Sequence, residues 1–581
     1  MFGIVVKSCA RWQGPDSSLV PPTQAQTRET VVANTFSVLE EQAFPVLTSE
    51  QIARLGSFGA SKATQPGDIL FDVGDSGYSL VVVLEGRTDI VDRANGDHVL
   101  KTSGPGEFNG ELGLLTGQST FAACIVRQAG KVLLVPPASV HEIVSTMPEL
   151  SSLLVTAFAA RRQLLMASAV ASLTIIGRDE DPDVLRLLEF ADRNRVPYRW
   201  LDPDKPKDVP AITQCGVTDR GTFRAVWGGG RRTLDRPTPL ALARAIGLDL
   251  LVKQDAPSDL IVVGAGPAGL AAAVYGASEG LSTLVVEDTA IGGQAGTSSC
   301  IENYIGFPAG ISGGDLAFRA EVQAVKFGAR ITVPRHATAL ERRDGIYAVQ
   351  LDDGGILLGR SIVIATGARY RRLRLSEQEA FEGAGIYYAA TEIEARRCRG
   401  GEAVIVGGGN SAGQAAMFLS ERARLVHILC RGPDLARSMS QYLISRLEST
   451  PNIRIRLYTQ VTEVRGGETL ESVTIANRLT GEVRTLSACA LFVMIGANPC
   501  TEWLSGTVGL DEKGFVVTGS SRSDGHLPYE TGLAGVFAVG DVRSGSVKRV
   551  ASAVGEGSVV IQGVHRHIAA LRDAGNPPEK T

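Results

Sequence analysis

A glycine fingerprint occurs twice in this chain, each time after a short apolar run. The first copy is Gly264-Ala265-Gly266-Pro267-Ala268-Gly269, after the run at 260–263 and before a helical pattern at 270–280. The second is Gly407-Gly408-Gly409-Asn410-Ser411-Ala412, after the run at 403–406. Glycines at this spacing allow a tight strand-to-helix turn, and they let backbone approach a pyrophosphate that faces the helix N-terminus. A lone fingerprint is weak. The first copy gains weight from Glu287, which ends a strand pattern at 283–286 and lies 23 residues beyond Gly264. That is the spacing at which a carboxylate can hold an adenosine ribose. Two such turns require two doubly wound α/β units, able to hold two dinucleotides at once.

The chain has 581 residues, enough for about three to five domains. Its apolar content of 44% and charged content of 21% are those of an ordinary globular protein. A net charge of −4 gives no global attraction to nucleic acid or to an anionic membrane. No two of the eight cysteines are spaced C-x-x-C, so the expectation is a reducing cytoplasm rather than a disulfide scaffold. No apolar stretch approaches the roughly 20 residues needed to span a bilayer. The run at 3–6 is too short for a signal-peptide core. Residues 1–30 are rich in Pro, Ser, Gln and Thr without periodicity, and are expected to be a disordered leader.

From 34 to 166 short apolar alternations at 69–73, 78–85 and 131–135 are broken by turn residues. Helical patterns at 49–55 and 150–165 flank them. The expectation is a β-barrel or jelly roll with helices. The stretch Gly104-Pro105-Gly106-Glu107-Phe108-Asn109-Gly110-Glu111-Leu112-Gly113 resembles the phosphate-binding cassette of the cyclic-nucleotide-binding domain. The resemblance implies a pocket around Gly110 and Glu111, with Glu111 on a ribose hydroxyl. The family's arginine is missing, for no lysine or arginine occurs between Lys101 and Arg127. A phosphate without its bidentate cation loses about 1.5–3 kcal/mol. The region is therefore read as a structural or partner-binding module in preference to a working cyclic-nucleotide sensor.

Residues 170–250 read as a second unit: strand 173–177, helix 183–194, strand 198–201, a hairpin of 222–227 and 231–234, then helix 238–246. The order resembles the thioredoxin core. That family places redox cysteines after the first strand, where a helix N-terminus lowers the thiol pKa. Here the junction is Arg178-Asp179-Glu180-Asp181-Pro182, without a thiol at the active position. The expectation is a docking or spacer domain.

The remaining motifs bring a family into view. They are Gly292-Gly293-Gln294, Glu302-Asn303-Tyr304-Ile305-Gly306-Phe307-Pro308, Ala365-Thr366-Gly367, Ile495-Gly496-Ala497-Asn498 and Gly540-Asp541. With the fingerprints they make the chain from about 258 to 572 resemble bacterial, low-molecular-weight thioredoxin reductase. The resemblance implies an FAD-binding domain in two pieces, 257–371 and 493–572, with an NAD(P)H-binding domain, 372–492, inserted between them. It implies FAD contacts at Gly264, Gly266, Gly269, Glu287, Gly293, Gln294, Asn303, Thr366, Gly540, Asp541 and Ala551. It places the second dinucleotide on Gly407, Gly409, Asn410 and Ala412. Arg431 and Arg437 stand where an NADP site has basic residues, and no acid ends the strand pattern at 425–429, so NADPH is expected. A homodimer is also implied.

The family's C-x-x-C falls at Ala389 and Glu392, and a thiolate is the required nucleophile of disulfide exchange. The ordinary dithiol route is absent. Cys300, in a segment the resemblance places near the flavin, and Glu392 are weak catalytic candidates. A metal site is not expected. The expected protein is a cytoplasmic multidomain α/β oxidoreductase, passing hydride from NADPH to FAD and on to oxygen, a quinone, a small oxidant or a redox protein. Two alternatives stay open. One is a disulfide reductase using another or a partner's thiol. The other is a flavin redox sensor coupled to the cyclic-nucleotide-like domain.

Overall fold

A computed structural model describes residues 39–93, 96–167, 173–178, 181–217, 223–227, 232–248, 256–298, 301, 303–343, 345–388, 390, 392–467, 469–519 and 527–575. The leader expected at 1–30 lies outside them. Four units of mixed α/β structure follow one another.

The first is built on two 13-residue strands, Leu80–Asp92 and Ala123–Val135, paired antiparallel through several register shifts. The shifts bend both strands, so each serves more than one neighbour. Ala60–Thr64 and Ile69–Phe71 pair with Ala123–Val135, while His98–Ser103 and Phe108–Asn109 pair with Leu80–Asp92. The expected barrel is not closed: among the described residues no pairing joins the outer strands Ala60–Thr64 and His98–Ser103. Helices complete the core instead. Pro137–Thr146 and Pro148–Ala167 bury Val140, Ile143, Leu150, Leu154 and Phe158 completely.

The second unit holds Leu173–Ile176 between Tyr198–Leu201, which is parallel to it, and Arg224–Trp227, which is antiparallel. Arg232–Asp235 extends the sheet beyond Arg224–Trp227. Helix Pro182–Arg193 follows the first strand, capped by the Asp181 carboxylate, which accepts from the Asp183 N–H. The β-α-β, β-β-α order is present, with one helix, Val209–Gln214, that the sequence reading did not assign.

In the third unit Ser258–Val263 lies between parallel strands Thr283–Val286 and Ile356–Ile364. Val536–Ala538 joins the same sheet, parallel to Ile356–Ile364. A strand from far along the chain thus completes the unit across an insertion. The insertion has a five-stranded parallel sheet with Glu402–Val406 at its centre and a three-stranded antiparallel sheet beside it.

Helix Gly313–Lys326 of the third unit meets both N-terminal units. One apolar cluster runs from Leu150 and Leu154 to Ala317 and Phe318 on this helix. Arg195 of the second unit lies over the Phe318 ring at 4.7 Å and pairs with Asp315 at 2.5 Å. On the same helix the carboxyl of Glu321 is pushed up to about 7 by burial, against the pull of Arg162 and Arg195.

Candidate functional site

The first fingerprint forms the turn its glycines demand. Gly264 has φ +107°, and a Cβ there would lie 2.3 Å from the Ala365 carbonyl oxygen. Gly269 sits under the turn, where a Cβ would meet the Gly264 carbonyl at 1.8 Å. Gly266 caps helix Pro267–Ser278 without any side-chain hydrogen bond, leaving its first N–H groups for a ligand.

Glu287 follows the next strand and is 7% exposed. Its carboxylate accepts the N–H groups of Ala265 at 2.7 Å, Thr289 at 3.1 Å and Ala290 at 3.3 Å. Burial and the adjacent Asp288 push the carboxyl up to about 7. The side chain is fixed to the turn it is expected to serve.

A cleft of about 780 Å³ opens over this turn. Gly264, Gly266, Glu287, Gly293, Gln294, Thr366, Gly540 and Asp541 all line it. These eight come from loops at the carboxyl ends of different strands, which the parallel sheet brings to one edge. Gly269 packs beneath the cleft. Ala551 is exposed, while Val550 and Ala553 of the same helix line the cleft. Asn303 is exposed and does not line it. Cys300 lies outside the described residues. Asn498, Cys500, Glu502 and Trp503 line the cleft as well; sequence reasoning had marked only Asn498 of these, within its motif. Thr366 Oγ1 donates to the Cys500 carbonyl at 2.7 Å, tying the two halves of the unit together at the site. The glycine turn, the tethered carboxylate and the volume fit an adenine dinucleotide such as FAD.

The second fingerprint repeats the geometry. Gly407 has φ +156° at the end of Glu402–Val406, and Gly409 caps helix Asn410–Ser420. Asn410 Oδ1 accepts from the Ser440 N–H at 2.8 Å, and Ser438 Oγ donates to the Gly408 carbonyl at 2.9 Å. Ala412 is fully buried behind the turn. Arg431 and Arg437 are exposed, and Arg437 lies 3.9 Å from Asp434. Glu392 opens helix Glu392–Arg397. Tyr388, at the edge of the inserted unit, stacks on the cleft residue Tyr370 with centroids 5.4 Å apart. The arginines at 369, 371 and 372 are engaged by Asp288, Asn498 and Glu379 respectively.

The cassette near the N-terminus is arranged differently. Glu111 Oε2 accepts from Arg162 Nη2 at 2.6 Å, and Arg162 Nη1 donates to Gln118 at 3.1 Å. Both partners are buried. The Gly110 carbonyl accepts from Arg161 Nη1 at 2.6 Å. Two arginines absent from the cassette in sequence thus reach it from helix Pro148–Ala167, where no local motif marks them.

Among the described residues no helix is long and apolar enough to cross a membrane, and no group of His, Cys, Asp and Glu is placed to hold a metal ion.

Comparison with known proteins agrees with this geometry. Pyridine nucleotide-disulphide oxidoreductase matches residues 258–557, and cyclic nucleotide-binding domain matches residues 62–147. The thioredoxin reductase of Streptomyces clavuligerus is 32% identical over 317 residues, 54% of this chain and 95% of that protein. An NADH dehydrogenase of Bacillus subtilis is 29% identical over 343 residues, 59% of this chain and 64% of that protein. The crystal structure of thioredoxin reductase from Streptococcus pyogenes superposes with a TM-score of 0.50 at 29% identity, covering 55% of this chain and all of that one.

Proposed function

This chain belongs to the pyridine nucleotide-disulphide oxidoreductase family, and from that premise we propose that it is an NADPH-dependent, FAD-containing oxidoreductase whose electron acceptor is not reached through a dithiol in the inserted unit. The observation that carries the reading is the pair of glycine turns, each at the carboxyl end of a parallel strand, in one chain without a C-x-x-C spacing, where the resemblance would put the dithiol at Ala389 and Glu392. A scaffold holding one dinucleotide has no need of the second turn.

FAD, when bound, supplies hydride acceptance and release of electrons to the acceptor. The chain's own residues supply placement. Helix Pro267–Ser278 and Asp541 would flank the pyrophosphate and ribityl region, and Glu287 would hold the adenosine ribose. Gly407, Gly409, Asn410 and Ala412 would form the NADPH turn, with Arg431 and Arg437 on the 2′-phosphate. Tyr370 and Tyr388 join the cleft to the inserted unit at the place where rotation of that unit would bring NADPH in. The acceptor would be oxygen, a quinone, a small oxidant or a redox protein. The assembly would be a homodimer in the cytoplasm, with domain limits of 34–166, 170–250, 257–371 with 493–572, and 372–492.

Anaerobic stopped-flow absorbance tests the reading. Mixing with NADPH should bleach the yellow protein within the dead time to seconds. Reoxidation by oxygen, a quinone or a protein disulfide then ranks the acceptors. No bleaching with NADPH or NADH would overturn the enzyme reading and leave the sensor.

A further inference from the structure

The end of helix Pro182–Arg193, in the second unit, is seated on the cleft of the third. Three consecutive residues make the contact. Arg193 Nη2 donates to the Gly293 carbonyl at 3.5 Å. Asn194 Nδ2 donates to the Thr289 carbonyl at 3.1 Å and to the Phe190 carbonyl at 2.9 Å. Arg195 Nη2 pairs with Asp315 at 2.5 Å. Arg193 itself lines the cleft.

The place it reaches is the fingerprint. A Cβ built on Gly293 would lie 3.1 Å from the Gly266 Cα, and Gly266 is the N-cap of helix Pro267–Ser278. Arg193 and the N-terminus of that helix thus line the same cleft, with Gly293 in contact with each. Two sources of positive potential meet there. Four carboxylates, Glu287, Asp288, Glu502 and Asp541, also line the cleft, so a bound pyrophosphate needs a cation of its own. Of the other cations that line the cleft, Arg335 pairs with Asp353, Arg369 with Asp288 at 3.0 Å, and Lys548 donates to the Asp541 carbonyl at 3.2 Å, while Arg549 adds a second cation beside Arg193. The ion partner of Arg193 is Glu189, at 3.6 Å and with a side chain 67% exposed. That contact is weak and solvated. Arg193 also offsets the negative end of its own helix, which would otherwise face an anion.

We propose that Arg193 is a ligand of the dinucleotide phosphates supplied by the thioredoxin-like unit, which thereby acts as a fixed wall of the FAD site. This rests on the FAD reading above. It gives a unit without a thiol at its active position a defined role. No sequence motif marks Arg193, because it lies 71 residues before Gly264 in a separate unit.

Fluorescence titration of flavin-stripped full-length protein tests the proposal, with FAD, ADP and adenosine as probes. Arg193→Ala should weaken FAD and ADP alike by about tenfold, the effect of one charge-assisted contact. Adenosine, which has no phosphate, should change by less than about twofold. Arg193→Lys should recover part of the loss. Arg195→Ala removes a docking contact outside the cleft and should leave ADP binding within about twofold. Unchanged FAD and ADP affinity in Arg193→Ala would overturn the proposal. So would an equal loss in Arg195→Ala, since the effect would then be docking rather than phosphate binding. If the unaltered protein binds no FAD at all, the cofactor reading itself fails.

Discussion

Glu111 and Glu287 are both buried carboxylates at glycine-rich turns, in modules that match nucleotide-binding families. Their surroundings differ in one respect that decides what each can do. Glu287 is held by three backbone N–H groups and faces a cleft of about 780 Å³. Backbone donors fix the side chain without cancelling its charge. Glu111 is held by the Arg162 guanidinium at 2.6 Å, a full opposite charge from its own domain. A ligand at Glu287 would add to the existing bonds, whereas at Glu111 one carboxylate oxygen is already committed to Arg162 and only the buried Oε1 is left without a hydrogen bond. The same residue type in a similar motif thus faces an open cleft in one case and an arginine of its own unit in the other.

The largest expected effect removes the open site. Gly269→Val puts side-chain atoms where a Cβ alone would lie 1.8 Å from the Gly264 carbonyl. The flavin-to-protein absorbance ratio should fall by about tenfold or more, through overpacking of the turn. The next effect probes the closed site. Arg162→Ala leaves Glu111 buried and unpaired, at a cost of about 3–5 kcal/mol. The first thermal or urea transition should move down accordingly. The double variant Glu111→Leu with Arg162→Met should recover most of the loss, because a hydrophobic pair of similar volume carries no desolvation penalty. Calorimetric titration of Arg162→Ala with cyclic AMP and cyclic GMP should remain flat. A clear heat of binding would break the comparison by showing that the Glu111 turn, once freed of Arg162, takes a nucleotide as the Glu287 turn is proposed to do.

Glu287 itself sharpens the contrast at smaller magnitude. Glu287→Gln should weaken FAD by roughly tenfold to a hundredfold, since a hydrogen bond to a charged group is worth about 1.5–3 kcal/mol. Its carboxyl, pushed up to about 7 by burial and Asp288, also gives a pH signature. The folded, flavin-free protein holds that proton more tightly than the unfolded chain, whose glutamate titrates near 4.3. Stability from this group is therefore fully present below about 4.3 and is lost as the pH rises through about 7. Denaturation midpoints of the flavin-stripped protein across that window should fall less steeply in Glu287→Gln. An identical slope would show that another group is responsible, with Glu321 the first to examine.

The parts legible in sequence were those governed by local rules. Helix 183–194 and strands 173–177 and 198–201 were placed within a residue or two, because periodicity and capping by Asp181 are short-range signals. The fingerprint turns were legible because glycine is required where φ is positive and backbone is close. The open form of the N-terminal sheet was not, since closure depends on how far two bent 13-residue strands diverge. Arg161, Arg162 and Arg193 were missed for one reason. Each reaches a glycine-rich turn or the cleft from a helix distant in sequence, and its own neighbours carry no motif. Cys500 and Trp503 reach the cleft through the antiparallel pairing of Ala497–Pro499 with Ala368–Tyr370, which returns the chain after the insertion.

The smallest expected effect concerns the second turn, where the charges proposed to meet the 2′-phosphate are solvated rather than buried. Arg431 and Arg437 are exposed, and the Arg437 side chain is 77% accessible. A 2′-phosphate bound there stays partly in water, where each contact is screened and contributes less than a buried pair. Arg431→Ala or Arg437→Ala should each lower the NADPH-to-NADH ratio of kcat/KM by about three- to tenfold. Most of the change should fall in KM for NADPH, with NADH unaffected, because only the phosphate is lost from recognition. Raising the salt concentration should reduce the ratio of the unaltered protein toward that of the variants. A preference for NADH in the unaltered protein would remove the 2′-phosphate role from both arginines while leaving the glycine turn as the nicotinamide-nucleotide site.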